Sequence, residues 1–187
     1  MKTSIYKLSL FALLAQIGYA NQVKKLLSAT ADASLRKDRQ FQNYGKARHI
    51  TVTKDSAKNA RVALLTFDTA DVATESTKAL LRIYVADVDG VSEDRKVLIR
   101  RVNSNFDEDR VTWSNYDAHE ESDKWIEFHI LNEHVGKIGQ LDVSSLIVPG
   151  ENLNLAIHTD DEGHVKIASK EHENPAAHPQ LLILEEL

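Results

Sequence analysis

The sequence contains no cysteine, and its 187 residues include only three prolines and seven glycines. The absence of cysteine excludes a disulfide framework, zinc–thiolate and iron–sulfur sites, and a cysteine nucleophile. The small number of glycines and the lack of a phosphate-cradling glycine loop argue against nucleotide chemistry. The sequence also lacks the Gly-x-Ser-x-Gly and His-Glu-x-x-His motifs of two large hydrolase classes.

The charge balance is mildly acidic, with 23 Lys and Arg residues against 28 Asp and Glu residues and a net charge of −5. This balance argues against a nucleic-acid partner bound through general positive charge. Charged residues make up 27% of the sequence and the AVILMFWYC set 42%, a composition typical of a folded globular domain. We therefore expect a single domain whose apolar core holds the fold without disulfides.

Residues 1–20 have the pattern of a secretory signal peptide. Lys2 and Lys7 give a positive start, residues 8–14 form a short apolar core, and residues 18–20 place small side chains at the −3 and −1 positions of a cleavage site. A membrane anchor is the alternative interpretation, but it needs about 20 uninterrupted apolar residues. The apolar run here is shorter, which favours the signal peptide.

We expect three parts: a signal peptide at residues 1–20, a polar N-terminal lead at 21–28 and one folded domain at 29–187. Removal of the signal peptide takes away two lysines and leaves 21 basic residues against 28 acidic ones, a net charge of −7. The expected localisation is secreted and extracellular. No other segment has the length and apolarity needed to span a membrane.

Apolar residues recur mostly at a period of two, which is the pattern of half-buried β-strands. In 79–86, for example, Ala79, Leu81, Ile83 and Val85 share one face. About nine or ten such segments with no long helical period predict an all-β fold, a two-sheet antiparallel β-sandwich of the jelly-roll type. At 142–147 we expect one helical turn at most. The predicted strands are 31–36, 48–53, 61–68, 79–86, 95–102, 125–130, 153–157, 164–169 and 180–185.

Seven short motifs occur in a fixed order along nearly the whole chain after the signal peptide, and the motif at 167–171 contains Lys170. Together they resemble a DNRLRE-type domain, also described as the TGF-β-propeptide-like family 96 carbohydrate-binding module, in which arginine is common at the position of Lys170. The motifs are 29–33 and 43–45, 61–68, 78–85, 111–115, 142–144, 167–171 and 179–181.

The resemblance implies a non-catalytic jelly roll that binds polysaccharide, an anionic alginate-like or cell-wall polymer being the expected class. Similar modules are usually attached to a lyase or another carbohydrate-active enzyme, so a separate enzyme of this kind is an expected partner. Two alternatives stay open. One is an extracellular structural or interaction protein of a matrix or cell surface, and the other is a small polysaccharide lyase.

The family motif points to five carbohydrate-binding residues: Asn43, Lys46, Arg61, Lys170 and Glu171. Antiparallel pairing of their strands could bring Arg61 and Lys170 to one rim of the sandwich. There the guanidinium would form two parallel hydrogen bonds with a uronate carboxylate, and the amide of Asn43 and the carboxylate of Glu171 would form hydrogen bonds with sugar hydroxyls. The competing interpretation is that Arg61 and Glu171 pair with each other as a structural bridge.

Secondary candidates are Arg82, Tyr84, Arg100 and His129 at outward strand positions, and Trp113 in a polar turn. On neighbouring strands they would form a basic and aromatic strip, although each one is also an ordinary solvated position. The ring of Trp113 could stack on a sugar or buttress its turn. For the lyase alternative, Tyr84 and His129 are the residues that could act as an acid–base pair.

The stretch from His158 to His164 is the candidate metal site, because its three acids and two histidines could gather around a cation. The alternative is a solvated hairpin loop, and the same holds for the acids at 87–89 and 93–94. No cofactor is required for polysaccharide binding. A structural Ca²⁺ ion is an open alternative for which the sequence reveals no ligand set.

Overall fold

The computed structural model describes residues 21–54, 59–72, 77–89 and 94–186. This part of the chain contains eleven β-strands, five short 3₁₀ turns and no α-helix. The predicted signal peptide at 1–20 lies outside the described residues. The strands are β1 (Asn21–Ser28), β2 (Ala31–Arg36), β3 (His49–Thr53), β4 (Arg61–Phe67), β5 (Thr77–Asp89), β6 (Asp94–Val102), β7 (Glu121–Leu131), β8 (Ile138–Asp142), β9 (Leu153–Thr159), β10 (His164–Ala168) and β11 (Gln180–Glu186).

All strand pairs are antiparallel, and the long strand β5 takes part in both sheets of a sandwich. Its first half pairs with β11 and β8, and β1 extends that sheet beside β11. Its second half pairs with β10, which begins a larger sheet in the order β10-β3-β4-β9-β6-β7, with β2 paired to β4. The all-β antiparallel sandwich that the sequence predicts is confirmed.

The main core lies between the two sheets and follows the period-two pattern. Leu81 and Ile83 of β5 are fully buried in it, together with Leu65 of β4 and Ile157 of β9. Each such side chain contributes roughly 1.5–3 kcal/mol of transfer free energy. This core holds the fold in a chain that has no cysteine.

A second apolar cluster covers the opposite face of the larger sheet. Leu35 of β2 and Leu64 of β4 are buried there against Val111, which belongs to the long loop between β6 and β7. Trp113 and Tyr116 of the same loop pack against this cluster and stay partly exposed. Strand β4 is therefore buried on both faces, which accounts for its uninterrupted apolar run.

Two strands were not predicted from the sequence. The expected polar lead at 21–28 is strand β1, which pairs with β11 along its length and lies at the edge of its sheet. The short strand β8 was not anticipated, because five residues with one glycine give too little alternation to recognise. The predicted single turn is confirmed as a 3₁₀ turn at Ser144–Leu146. Among the described residues, no helix has the length and apolarity needed to cross a membrane.

Candidate functional site

The structure separates the two cations that were expected to share a rim. Arg61 is opposite Thr53 of β3, and Thr53 is opposite His164 at the start of β10. Lys170 follows Ala168, the last residue of β10. Six residues of extended chain span roughly 20 Å, so Arg61 and Lys170 lie at opposite ends of the sheet. The prediction of one shared rim is wrong, because the order of the strands could not be derived from the sequence.

At the Lys170 end, Asn43 ties two loops of the protein together. Its amide donates hydrogen bonds to the carbonyl oxygens of Glu108 (2.7 Å) and Val111 (2.8 Å), and its side-chain oxygen accepts the N–H of Gly45 at 3.1 Å. A Cβ atom at Gly45 would collide with the backbone carbonyl of Glu108. The Asn-Tyr-Gly motif is therefore explained here by packing of the chain on itself.

The lysines at this end are balanced by acids. Lys170 Nζ lies 2.5 Å from Glu171 and 3.0 Å from Glu108. Lys46 Nζ lies 3.1 Å from Glu108 and 3.0 Å from Asp109. Burial tends to lower the pKa of Lys170, but Glu171 and Glu108 outweigh that effect and raise it. The alternative pairing of Arg61 with Glu171 is wrong, since Glu171 pairs with Lys170.

Beneath these lysines lies Asp32, a site residue that the sequence analysis missed. It is fully buried, its N–H donates to Glu108 Oε1 at 2.8 Å, and its Oδ2 accepts the N–H of Lys170 at 2.6 Å. Burial, together with the nearby charges of Glu171 and Glu108, raises the pKa of Asp32 to about 7, although the hydrogen bond from the N–H of Lys170 opposes the rise. Asp32 stands at a polar position of the alternating strand β2, where the sequence pattern alone predicts an ordinary solvated side chain.

At the Arg61 end, a cavity of about 280 Å³ opens beside the second apolar cluster. We call it the outer groove, and its functional side chains are Arg61, Trp113, Tyr116, Glu121 and His158. A second cavity of about 290 Å³, lined by residues that include Lys54 and His164, adjoins it and shares Arg61. Arg61 therefore lies between two recesses that could hold consecutive groups of one ligand.

The guanidinium of Arg61 forms no hydrogen bond or ion pair with any residue in the described part of the chain, and its Nε atom is buried. Burial lowers the pKa of Arg61 and the neighbouring Arg36 lowers it further, while the charge of Asp38, which is hydrogen-bonded to Arg36, acts in the opposite direction. Arginine nevertheless remains charged in proteins. The guanidinium is partly exposed and forms no ion pair with a described acid, so its donors are available to a partner outside the protein.

The base of the outer groove is a polar network around Glu121. Its carboxylate accepts a hydrogen bond from Tyr116 Oη at 2.8 Å, lies 2.9 Å from His158 Nε2, and lies 3.9 Å from Arg100 Nε. Burial tends to raise the pKa of Glu121, but His158 and Tyr116 outweigh it and the pKa is lowered. The carboxylate thus lies against Tyr116, His158 and Arg100 at the side of the groove.

A family model described as carbohydrate-binding module family 96 matches residues 23–185. The chain belongs to carbohydrate-binding module family 96. The match includes both ends of the sandwich and the loops that carry Asn43 and Trp113. A comparison with curated proteins gives no match. The family 96 prediction is confirmed, whereas the DNRLRE and TGF-β-propeptide-like descriptions stay predictions.

The family 96 module exposes the large aromatic ring of Trp125 beside Arg100. Trp125 of β7 is 53% exposed and lies opposite Arg100 of β6, whose guanidinium carbon is 5.3 Å from the ring centroid. Arg100 reaches the groove network through Glu121. The Arg100–Trp125 pair therefore extends the groove with a cation and a flat apolar surface.

The other secondary candidates are divided between the two sheets of the module. His129 of β7 is on the same sheet as Arg100 and bonds Asp94 at 2.7 Å. Arg82 and Tyr84 belong to the half of β5 that pairs with β11 and β8. Arg82 donates to Gln180 at 2.7 Å, and the Tyr84 ring lies 6.1 Å from that of His172. The structure thus brings together neither the full predicted strip nor the Tyr84–His129 pair.

The candidate metal site between His158 and His164 is not assembled. His158 pairs with Glu121 while His164 lies 3.1 Å from Asp87, so the two histidines have different partners. The intervening acids are engaged by the chain: Asp160 and Asp161 by Lys96, and Glu162 by Lys54. These contacts favour the hairpin-loop interpretation. Within the described residues, the acids grouped at metal-binding distances are Asp32, Glu108 and Glu171.

Proposed function

We propose that this carbohydrate-binding module is exported and non-catalytic, and that it binds an anionic polysaccharide of the alginate-like, uronate-containing class in the outer groove. The observation that carries the proposal is the half-buried guanidinium of Arg61, which forms no ion pair or hydrogen bond with any described residue. A ligand carboxylate supplies the missing partner. Export rests on the predicted signal peptide.

The recognition follows from side-chain chemistry. The planar guanidinium of Arg61 presents paired N–H donors that match the two oxygens of a uronate carboxylate. The exposed ring of Trp125 offers a flat apolar surface for a sugar face, and Arg100 beside it adds a second positive charge. A polymer that runs along the groove meets these groups in succession, so weak contacts add up along one chain.

The charge distribution explains how a net acidic protein can bind an acidic polymer. General attraction is unfavourable at the net charge of −7 that remains after removal of the predicted signal peptide, so the contacts depend on a few placed cations. Lys46 and Lys170 already face acids of the protein, whereas Arg61 does not. Because exposed ion pairs are screened by salt, the affinity should fall as ionic strength rises.

A non-catalytic role is supported by the match to carbohydrate-binding module family 96 over residues 23–185. In this role the module would bring an extracellular surface or a separate carbohydrate-active enzyme to the polymer.

The proposal is tested by affinity electrophoresis of the purified protein in gels that contain a polyuronate, a neutral glucan or no polymer. An assay for the absorbance of unsaturated uronate products runs in parallel. We expect retardation by the polyuronate, little by the neutral glucan, and no product. Migration that is equal in all gels would contradict glycan binding and favour an interaction protein, while product formation would identify a lyase.

A further inference from the structure

Three carboxylates meet at the end of the sandwich away from the outer groove. Asp32 lies in β2, Glu108 in the loop after β6, and Glu171 in the segment after β10. One oxygen of each side chain lies within 4.8 Å of an oxygen of the other two. The side chains of Glu108 and Glu171 are only 12% and 21% exposed, and Asp32 is fully buried.

Two oxygen atoms of these carboxylates have no hydrogen-bond partner among the described residues. Glu108 Oε1 accepts the N–H of Asp32, and its Oε2 faces the ammonium groups of Lys46 and Lys170. Asp32 Oδ2 accepts the N–H of Lys170, and Glu171 Oε1 faces its ammonium. Asp32 Oδ1 and Glu171 Oε2 are buried and have no hydrogen-bond partner among the described residues.

The nearby lysines do not balance the three acids. Lys170 lies against Glu108 and Glu171, while the Lys46 side chain is 62% exposed and shared between Glu108 and Asp109. In the described part of the chain, neither ammonium forms an ion pair with Asp32. A buried carboxylate oxygen without a partner carries a large desolvation cost, so native structures almost always supply one.

We propose that Asp32, Glu108 and Glu171 hold a divalent cation, and that Ca²⁺ is the ion this donor set fits best. Ca²⁺ accepts about six to eight oxygen ligands in flexible geometry, including carboxylates from separate segments and water. All three donors are carboxylates, which disfavours softer transition metals. The ion supplies the missing partner of Asp32 Oδ1 and Glu171 Oε2.

The cation has a structural role that is independent of the proposed glycan binding. It links β2, the loop after β6 and the segment after β10, three parts of the chain that are distant in sequence. The loop after β6 also carries Trp113 and Tyr116 of the outer groove. Its anchoring at Glu108 would therefore stabilise the fold on which the groove is built.

The first test is thermal unfolding of the full-length protein after treatment with EDTA and transfer to metal-free buffer. Calcium chloride is titrated against sodium chloride of equal ionic strength and against magnesium chloride. We expect a saturable rise in Tm with calcium, roughly 5–10 °C at a hundredfold excess over Kd, and a smaller rise with magnesium. Calorimetry should give one bound Ca²⁺ per chain. A Tm that does not respond to calcium, together with no heat of binding, would overturn the proposal.

Variants locate the ion. Asp32→Asn should lose the calcium-dependent rise in Tm, and without calcium it should be at least as stable as the wild type because a buried charge is removed. Glu127→Gln, which alters an exposed acid on β7, is the matched control and should keep the full rise. Should Asp32→Asn fail to fold, Glu171→Gln takes its place. Retention of the rise by either cluster variant that folds would show that the ion binds elsewhere.

Discussion

Arg61 and Lys170 lie at opposite ends of the β3–β10 pair, because Arg61 is opposite Thr53 whereas Lys170 follows the end of β10. The two cations of the family motif therefore have different surroundings. Lys170 contacts Glu108 and Glu171, and Arg61 contacts no described acid. This difference assigns a structural role to Lys170 and leaves the Arg61 charge available for a ligand.

Loss of the Lys170 ammonium should destabilise the protein without weakening polysaccharide binding. Lys170→Ala leaves Glu108 and Glu171 without their shared cation, at a cost of about 1–3 kcal/mol. Urea unfolding in EDTA measures the change in free energy. Lys46→Ala is the control and should have a smaller effect, because its ammonium is mostly exposed. Equal stability of Lys170→Ala and the wild type would contradict the structural role.

Removal of the exposed ring beside the outer groove should weaken binding but leave the fold unchanged. Trp125→Ala deletes a surface that is available for sugar stacking, so we expect a roughly 2- to 10-fold loss of polyuronate affinity. Leu26→Ala removes a similarly exposed apolar side chain from β1 in the other sheet and should have no effect. Calorimetric titration measures both variants. An unchanged affinity for Trp125→Ala would remove Trp125 from the binding surface.

Acid should abolish the stabilising contribution of Asp87. Its hydrogen bonds from Lys166 and His164 lower its pKa from 3.8 to about 2. The folded state therefore favours the ionised form, and the contribution is present above about pH 4 and is lost as the pH falls towards 2. Because the side chain is 45% exposed, we expect no more than about 1 kcal/mol.

The measurement compares the free energy of unfolding of the wild type and Asp87→Asn in urea at several pH values. The difference should be present at pH 7 and should shrink between about pH 4 and pH 2. Asp142→Asn, at a different exposed lysine contact, is a reference for nonspecific charge effects. A difference that persists unchanged at the lowest pH would contradict the assigned interaction.

Local pattern was sufficient to predict most of the strands. Strand β2 has the predicted bounds 31–36. Its apolar and polar residues alternate, and this alternation can be recognised from neighbouring positions in the sequence alone. Strand β1 was missed because Lys24 and Lys25 make it polar, although lysine is common on edge strands that must not pair further.

The site depends on relationships that are not local. The predicted rim of Arg61 and Lys170 required a strand order that the sequence does not contain. Asp32 was missed because its role arises from Glu108 and Glu171, which are far away in the chain. The candidates Arg61 and Trp113 do lie in one groove, but Tyr116 and Glu121 became visible only when the loop after β6 was placed over the sheet.

The most direct test of the central claim is the polyuronate affinity of Arg61→Ala, measured by calorimetric titration beside Lys170→Ala. Arg110→Ala is the control, because its side chain is 85% exposed and does not line the outer groove. Arg61→Ala removes the charged hydrogen bonds between the guanidinium and a uronate carboxylate, so we expect its polyuronate affinity to be roughly 10- to 100-fold weaker. We expect little change in affinity for the other two variants. Wild-type affinity in Arg61→Ala, with binding lost in a folded Lys170→Ala, would contradict the account and move the site to the opposite end of the sandwich.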